Sequence, residues 1–379
     1  MKKTTVTIVI PCLNEELTLP YVLKKLVQVK KENSKVYEIE ILVSDNGSTD
    51  KSVSIAKQFG ARVVPAKDRG YGAALDSGIR NAKGEIVVFA DADDTYDFLE
   101  APLLINKLVS GDYDMVIGSR LDGTIYNGAM PFLHRYLGTP VINWIINLLY
   151  AKKTKIRDSN SGFRCFKKEK YLSWEIKSKG MEFASELLIK ALIHDAKMAH
   201  VPVSLSPDKE GRIPHLKTWR DGMRHLLRIL FYGPHLFERV GFVFFAFFWL
   251  QLLIGFFAQG VISIAGFNLY GIHSMILFSF LTILGLSLWG TGLLIATKQP
   301  RVSKLYQNIL AMEEDRLFFV LITGFAIIGL TLVWLIFQWY KSGFVFINFE
   351  REFIVASNIS LTLLIFSLQA LTAHIIKRD

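Results

Sequence analysis

Four long apolar segments occupy the second half of the chain, at about residues 242–267, 272–297, 317–340 and 353–376. Each exceeds the roughly 20 residues that a helix needs to cross a bilayer. No acidic residue lies in the middle of any of them, which indicates anchoring or packing helices and not an ion pathway. We therefore predict an α-helical transmembrane domain of four spans over residues 241–379.

Cationic residues lie at the ends of these segments. They are Lys298, Arg301, Lys304 and Arg316 between the second and third segments, and Lys377 and Arg378 in the tail. Positive residues favour the cytoplasmic side, so we predict a multi-pass protein of the cell or endoplasmic membrane with its amino-terminal domain in the cytoplasm. The net charge of +10 fits an anionic substrate or membrane surface, and no motif for a nucleic-acid partner is visible.

Two further segments have the pattern of helices that lie on a membrane. Over residues 216–240, apolar residues recur at helical spacing while Arg220, Arg224 and Arg228 recur on another face, which predicts a basic amphipathic interface helix. An ordinary surface helix is the alternative. Residues 132–150 are strongly apolar but contain several polar side chains, which fits either a helix on the membrane or a packed core helix.

The first 215 residues alternate short apolar, β-branched runs with helical patterns. Strands are predicted at residues 5–10, 38–44, 62–64, 85–89, 114–118 and 199–203, and helices include residues 71–81 and 183–193. This spacing is typical of βαβ units. It predicts an α/β domain with a doubly wound, mainly parallel sheet.

An acidic turn, Asp91-Ala92-Asp93, follows the buried strand predicted at residues 85–89. In open α/β sheets, ligands bind beyond the carboxyl ends of the strands. Two carboxylates spaced by two can point the same way and share one hard cation, Mg²⁺ or Mn²⁺, with substrate phosphates. The alternative is a set of solvated acids that caps the next helix.

Other motifs precede and follow this turn. They are Ile10-Pro11-Cys12-Leu13-Asn14-Glu15, Val43-Ser44-Asp45-Asn46-Gly47-Ser48-Thr49-Asp50 and Gly70-Tyr71-Gly72-Ala73-Ala74 before it, and Gly118-Ser119-Arg120, Arg135 and Asp158-x-x-Ser161-Gly162-Phe163-Arg164 after it. In order and spacing the first hundred residues resemble the family 2 glycosyltransferases with a GT-A fold. The later motifs resemble the polyprenyl-phosphate branch of that family. The resemblance covers about residues 5–220 and implies a Rossmann-like GT-A domain over residues 1–215.

The resemblance implies a role for each matching residue on the donor side. The nucleotide-binding residues would be Pro11, Asn14, Glu15, Asp45, Gly47, Ser48, Gly70, Asp91 and Ala92. Asp45 would accept a hydrogen bond from the base, although a helix-capping turn is the alternative for this residue. Asp91 and Asp93 would hold the metal, and Asp93 would be catalytic. Thr95 stands where the family often has Gln, which leaves the third ligand position open.

The acceptor side follows from the same resemblance. The residues that would bind the lipid phosphate are Arg120, Arg135, Ser161 and Arg164, helped by Arg212 and Lys217. Asp158 and Arg164 would act in catalysis. For Asp158 the choice is between a base, an orienting group and structural support of Arg164. Because a phosphate monoester is already largely ionised near neutral pH, strong base catalysis is not required.

Together these expectations describe a metal-dependent, inverting transfer of a hexose. The donor would be a nucleotide diphosphate sugar, GDP-mannose or UDP-glucose, and the acceptor a dolichyl or undecaprenyl phosphate at the cytoplasmic membrane face. A processive polysaccharide synthase is disfavoured because no Gln-x-x-Arg-Trp motif occurs. A transferase for another lipid such as diacylglycerol, or an inert membrane scaffold, stays an alternative. Formation of a homo-oligomer through the transmembrane helices is left open.

Overall fold

The computed structural model describes residues 3–211, 218–258, 262–264, 267–299, 302–343 and 350–378. The chain divides into two compact units, Met1–Ile229 and Leu230–Asp379. This division falls inside the segment 216–240. The three predicted domains, 1–215, 216–240 and 241–379, stay a prediction.

A seven-stranded sheet forms the centre of the first unit. Its strands are β1 (Thr4–Cys12), β2 (Tyr37–Asp45), β3 (Arg62–Pro65), β4 (Ile86–Phe89), β5 (Met115–Ser119), β6 (Arg164–Lys167) and β7 (Met198–Pro202). They lie in the order β3-β2-β1-β4-β6-β5-β7. All neighbours are parallel except β6, which is antiparallel to both β4 and β5. The predicted mainly parallel α/β sheet is therefore confirmed.

Strand β6 was not predicted, because its sequence Arg164-Cys165-Phe166-Lys167 is short and begins with a charged residue. A buried arginine breaks the apolar run by which a central strand is recognised. The reversed direction of β6 matters for the site. It brings the start of β6 to the sheet edge where the parallel strands β4 and β5 end.

Among the described residues between 19 and 231, eight α-helices connect or follow these strands. They are α1 (Leu19–Glu32), α2 (Ser52–Gln58), α3 (Tyr71–Asn81), α4 (Ala101–Ser110), α5 (Thr139–Leu149), α6 (Lys168–Trp174), α7 (Phe183–Ile193) and α8 (Thr218–Phe231). The predicted limits of α3 and α7 are confirmed residue for residue. In both helices small or aliphatic side chains are buried against the sheet, including Leu75 and Leu187.

The apolar segment 132–150 forms a π-helical turn, His134–Gly138, that continues into α5. Only Thr139, Asn143 and Ile146 of α5 are buried. The opposite face exposes large apolar side chains, with Trp144 at 64% and Leu148 at 62% exposed. The packed core helix is therefore excluded for this segment. The structure leaves an apolar face that a membrane could cover.

The second unit is built from helices. They are α9 (Pro234–Phe257), α10 (Ile272–Ala296), α11 (Lys304–Leu310), α12 (Glu314–Lys341) and α13 (Glu350–Arg378), with a short hairpin of β8 (Ile262–Ile264) and β9 (Phe267–Leu269) after α9. Four of them, α9, α10, α12 and α13, are long and apolar enough to cross a membrane. Within the described ranges, the predicted number of helices long and apolar enough to cross a membrane is confirmed.

Two predicted limits near this boundary are wrong. The interface helix expected over 216–240 ends at Phe231, and Pro234 begins α9. Proline is favoured at the first turn of a helix, where its missing N–H is not needed. The apolar segment expected at 242–267 ends as a helix at Phe257, and an apolar hairpin follows. Hydropathy alone does not separate these strands from the helix before them.

Candidate functional site

Three neighbouring strands bring the predicted site together at one edge of the sheet. Strand β4 ends at Phe89 and is followed by Asp91, whereas β5 ends at Ser119 and is followed by Arg120. Between them, antiparallel β6 begins just after Gly162. A Cβ atom on Gly162 would lie 2.7 Å from Oδ2 of Asp91. The glycine of the Ser161-Gly162-Phe163-Arg164 motif thus lets the backbone pass directly beside the acidic turn.

Asp91 accepts a hydrogen bond through Oδ1 from the hydroxyl of Tyr71, at 2.8 Å. Tyr71 is the first residue of α3 and follows Gly70, whose φ of +128° is a conformation that favours glycine. A side chain at Gly70 would also collide with the carbonyl of Lys179. Burial, and next the charge of Asp91, raise the pKa of Tyr71 well above its ordinary value, so its hydroxyl stays protonated and donates.

Asp93 is held within the acidic turn itself. Its Oδ1 atom accepts hydrogen bonds from the backbone N–H of Thr95, at 3.1 Å, and from the Thr95 hydroxyl, at 2.7 Å. Thr95, which departs from the family pattern, therefore orients a carboxylate of the predicted metal site. Ala92 between the two carboxylates is buried.

A third carboxylate in the turn, Asp94, has a different environment. Its side chain is only 5% exposed and lies 2.9 Å from Nζ of Lys25 and 3.1 Å from Nζ of Lys209. Lys209 in turn lies over the ring of Tyr21. Asp94 thus pairs with two lysines, whereas Asp91 and Asp93 accept hydrogen bonds from hydroxyl groups.

The donor set of the turn fits a divalent cation that also binds a substrate. Among the described residues, no group of three or more His, Cys, Asp or Glu side chains could hold a metal ion. Mg²⁺ is commonly bound through one or two carboxylates together with substrate phosphates. The oxygen-only pair of Asp91 and Asp93 matches that arrangement, and Mn²⁺ favours the same ligands.

The loops that follow β1 and β2 are joined by hydrogen bonds. The N–H of Asn14 donates to Oγ of Ser48 at 3.0 Å, and the Asn14 side-chain oxygen accepts from the N–H of Thr49 at 2.8 Å. Asp45 accepts from the N–H groups of Gly47 and Ser48, at 3.2 and 3.1 Å. Asp45 thus closes a turn, and it does not cap α2, which begins only at Ser52.

Pro11 and Glu15 are buried in the same region. Glu15 accepts a hydrogen bond from the Thr18 hydroxyl at 2.9 Å, and its N–H donates to Oγ of Ser52 at 2.9 Å. The carboxyl ends of β1 and β2 therefore bring together six of the predicted donor residues, Pro11, Asn14, Glu15, Asp45, Gly47 and Ser48. Asn14 and Glu15 help to hold these loops in place.

Arg69, which precedes Gly70, was not predicted as a site residue. Its guanidinium lies about 3.6 Å from the position that a Cβ of Gly47 would take. It is an exposed cation beside the Asp45 turn. Its position directly before the glycine motif could have indicated a site residue, but a single arginine in a polar loop is usually a surface residue.

Arg120 and Asp158 form the best-defined charged pair of the site. The Nε and Nη2 atoms of Arg120 each donate to Asp158 at 2.8 Å, and the Arg120 N–H donates at 2.9 Å. Burial alone would raise the pKa of Asp158, but the charge and hydrogen bonds of Arg120 outweigh it and lower that pKa. Both carboxylate oxygens are thus engaged by Arg120. This geometry favours an orienting role for Asp158 over a base, and its partner is Arg120 and not Arg164.

The structure revises the roles expected for Arg164 and Ser161. Arg164 is fully buried, and its guanidinium donates to the carbonyls of Ser161, Ala184 and Ser159 at 3.1, 2.7 and 2.8 Å. Burial lowers its pKa to about 10.

The Ser161 hydroxyl is likewise buried and donates to the carbonyl of Gly118 at 2.5 Å. A guanidinium and a hydroxyl satisfied by backbone carbonyls do not present donors to a lipid phosphate. We therefore assign Arg164 and Ser161 to bracing the loop that carries Asp158.

Of the remaining predicted acceptor residues, Arg135 is the one that lies among the described residues. Arg135 is exposed on the π-helical turn, with its guanidinium 5.4 Å from the centre of the Tyr136 ring. Arg212 and Lys217 lie outside the described residues. Within the described part of the chain, Arg120 is thus the predicted acceptor cation that the structure places beside the acidic turn.

Comparison with known proteins gives matches over the whole of this unit and beyond. Residues 7–172 match the family model described as glycosyl transferase family 2. The low-salt glycan biosynthesis hexosyltransferase Agl6 of Haloferax volcanii is 33% identical over 350 residues, which cover 90% of this chain and 81% of Agl6. A dolichyl-phosphate hexose transferase of the same organism is 28% identical over 194 residues, or 50% of this chain and 78% of that protein.

One similar solved structure is the glucosyl-3-phosphoglycerate synthase of Mycobacterium tuberculosis in complex with Mn²⁺, uridine diphosphate and phosphoglyceric acid. Its TM-score is 0.48 at 22% identity, over 60% of this chain and 78% of that one.

Proposed function

The chain belongs to the family 2 glycosyltransferases with a GT-A fold, and on that premise we propose that it transfers one hexose to a polyprenyl phosphate. The donor is a nucleotide diphosphate sugar, GDP-mannose or UDP-glucose, and the acceptor is a dolichyl or undecaprenyl phosphate. One observation carries this proposal. Arg120, fixed by a buried carboxylate, lies on the same sheet edge as Asp91 and Asp93. A cation that faces an acidic metal-binding turn suits an enzyme that brings two phosphorylated substrates together.

On the donor side, the joined loops after β1 and β2 hold the nucleoside. The residues that we assign to it are Pro11, Asn14, Glu15, Asp45, Gly47, Ser48, Gly70 and Ala92, with Arg69 beside them. Asp91 and Asp93 would hold Mg²⁺ or Mn²⁺, and the bound cation would stabilise negative charge on the departing nucleotide diphosphate. Tyr71 and Thr95 keep these two carboxylates in place.

On the acceptor side, the phosphate monoester needs little help to become a nucleophile. Its second pKa is about 6, so it is largely dianionic at neutral pH. The protein must instead hold this anion near the donor pyrophosphate, which repels it. The planar fork of Arg120 matches a pair of phosphate oxygens. Asp158 fixes the orientation of the guanidinium by accepting from Nε and from one N–H of Nη2. The donors that remain for a phosphate are the two N–H groups of Nη1 and the second N–H of Nη2.

The transfer itself is an inverting displacement. A phosphate oxygen of the acceptor forms a bond to the anomeric carbon while the bond from that carbon to the diphosphate oxygen breaks. The electron pair leaves with the nucleotide diphosphate. No proton has to be removed in this step because the acceptor is already ionised.

Membrane attachment is the second part of the proposal. Four helices of the second unit are long and apolar enough to span a bilayer, which supports an integral, multi-pass protein. The exposed apolar face of α5 and the arginines of α8 support contact of the catalytic unit with a lipid surface. By the positive-inside rule this unit is cytoplasmic. Similarity to the dolichyl-phosphate hexose transferase of Haloferax volcanii supports a polyprenyl acceptor.

Sugar transfer by the detergent-purified full chain tests the proposal. UDP-glucose, GDP-mannose and UDP-N-acetylglucosamine are offered in turn with a polyprenyl phosphate and Mg²⁺ or Mn²⁺. We expect a glycolipid from one donor, and we expect its loss in EDTA and in Asp93→Asn. The matched control is Asp112→Asn, because Asp112 is an exposed carboxylate that pairs with surface lysines. Full activity of Asp93→Asn, or transfer to diacylglycerol in place of polyprenyl phosphate, would contradict the proposal.

A further inference from the structure

The carboxylate of Asp91 is enclosed from two sides. On one side Oδ1 accepts the 2.8 Å hydrogen bond from the Tyr71 hydroxyl. On the other side, Oδ2 lies so close to Gly162 that a Cβ there would be only 2.7 Å away. Rotation of an aspartate carboxylate about its terminal torsion is normally broad and weakly restricted. The two contacts together restrict this rotation.

The position of Tyr71 is itself fixed by the backbone. Gly70 takes a φ of +128° and packs against the carbonyl of Lys179, and the N–H of Ala73 donates to the same carbonyl at 3.1 Å. These contacts set where α3 begins and therefore where its first side chain points. The glycine motif thus delivers a hydroxyl to the acidic turn, in addition to shaping the loop for a nucleotide.

We propose that Tyr71 is a positioning residue for the metal site, which orients Asp91 so that the carboxylate meets a divalent cation in one fixed orientation. This inference rests on the proposed function and deepens it. Side chains that hydrogen-bond to metal ligands orient those ligands, and their loss typically weakens metal binding by about 10- to 100-fold. Tyr71 contacts neither the sugar nor the acceptor in this assignment, and it acts only through Asp91.

A second tyrosine provides a matched control. The hydroxyl of Tyr171 donates to Oδ1 of Asp76 at 2.7 Å, and Asp76 also lies on α3. Asp76 pairs with Arg80 on the same helix and does not belong to the acidic turn. Tyr171→Phe therefore removes the same kind of part-buried hydrogen bond to a carboxylate without touching Asp91. A purely structural role of a tyrosine–aspartate bond would affect both variants alike.

The experiment measures Mn²⁺ binding by the full chain in detergent, from the electron paramagnetic resonance signal of the free ion. Titrations are made with UDP or GDP present, and nucleotide affinity is measured separately in EDTA by calorimetry. For Tyr71→Phe we expect Mn²⁺ affinity to fall about tenfold, while nucleotide affinity in EDTA and the thermal unfolding midpoint change little. For Tyr171→Phe we expect unchanged Mn²⁺ affinity.

A double-mutant cycle with Asp91→Asn keeps the test decisive if Tyr71→Phe also loses stability. In the Asp91→Asn background, Tyr71→Phe should have no further effect on Mn²⁺ affinity, because coupled residues are not additive. Equal Mn²⁺ affinity of Tyr71→Phe and the unmodified chain, or additive losses in the cycle, would overturn the positioning role and leave the proposed function intact. Failure of the unmodified chain to bind Mn²⁺ with either nucleotide would overturn the proposed function and this inference together.

Discussion

Arg120 binds Asp158 through three nitrogen atoms, its backbone N–H and the Nε and Nη2 of its guanidinium, all within 2.9 Å. The Asp158 side chain is fully buried, whereas 13% of the Arg120 side chain is exposed. The carboxylate is thus enclosed, and Arg120 is the member of the pair that keeps some exposed side-chain surface. This arrangement joins the sequence motif around Asp158 to the motif that ends in Arg120.

The first prediction concerns this pair. Arg120→Ala should lower kcat/KM for the polyprenyl phosphate about 10- to 100-fold, the range for a lost hydrogen bond to a charged group. Arg120→Lys should recover only part of it, because an ammonium lacks the planar fork. Asp158→Asn should weaken acceptor use in the same direction. Nucleotide affinity in EDTA should be unchanged in all three variants.

Arg62→Ala is the control for this series. Arg62 pairs with Glu40 at 2.8 Å and begins β3, at the opposite edge of the sheet from Arg120. The Arg62→Ala substitution removes an arginine–carboxylate pair from the same unit and should leave acceptor kinetics unchanged. Unaltered acceptor kinetics in Arg120→Ala would show that the lipid phosphate binds elsewhere.

The second prediction separates the carboxylates of the acidic turn. Asp93→Asn should abolish metal-dependent nucleotide binding and leave stability nearly unchanged. Asp94→Asn should leave metal-dependent nucleotide binding intact and lower stability, because Asp94 is buried between Lys25 and Lys209. Weakening these ion pairs should lower the free energy of unfolding by about 1–3 kcal/mol. Calorimetry with UDP or GDP, with and without Mn²⁺, and thermal unfolding distinguish the two, and loss of metal binding in Asp94→Asn alone would refute the assignment.

The third prediction concerns pH. His225 of α8 lies with Nδ1 2.7 Å from the hydroxyl of Ser185 in α7, and burial lowers its pKa below the ordinary value of 6.5. Glu182 and Asp221 raise this pKa and Arg164 lowers it, without reversing the effect of burial. Because the folded pKa is depressed, the folded state binds the proton less readily than the unfolded chain. Stability is therefore complete above pH 6.5 and is lost as the pH falls below that value toward the folded pKa.

Thermal unfolding of the full chain in detergent between pH 7.5 and about pH 5 tests this linkage. The unfolding midpoint should fall on acidification, and His225→Gln should flatten that fall, since Gln keeps a polar side chain that does not titrate. His194→Gln is the control, because His194 is exposed at the end of α7. An equal pH dependence in His225→Gln and the unmodified chain would assign the effect to other groups.

Much of this fold was predictable because its pattern is local. Helices α3 and α7 and the buried strand β4 have periodicities and flanking glycines that specify them without tertiary information. Strand β6 could not be predicted in this way, since Arg164 is buried within it only because carbonyls of the preceding loop, at Ser159 and Ser161, and the carbonyl of Ala184 in α7 accept its hydrogen bonds. Such compensation depends on the folded chain.

The candidate site was likewise predictable only in part. The motifs predicted that Asp91, Asp93 and Arg120 would lie together, and the strand order brings them to one edge. Both Arg120 and Arg164 belong to motifs that resemble the family pattern. The sequence could not show that Arg164 is fully buried while Arg120 keeps some exposed side-chain surface. Nor could it show that Asp158 belongs to Arg120, since the two are 38 positions apart in the chain.

The last prediction concerns the exposed apolar face of α5. Trp144 is 64% exposed on a helix whose opposite face is packed, and Phe132 in the preceding segment is 74% exposed. A contiguous apolar surface of this kind favours a lipid interface.

In nanodiscs that contain brominated lipids, Trp144 should therefore contribute to the quenched part of the tryptophan fluorescence. Trp144→Phe should reduce the quenched fraction, whereas Trp174→Phe should not, because Trp174 is buried in the catalytic unit. If Trp144→Phe leaves the quenched fraction unchanged, the face of α5 does not lie on the membrane, and another surface must bring the lipid phosphate within reach of Arg120.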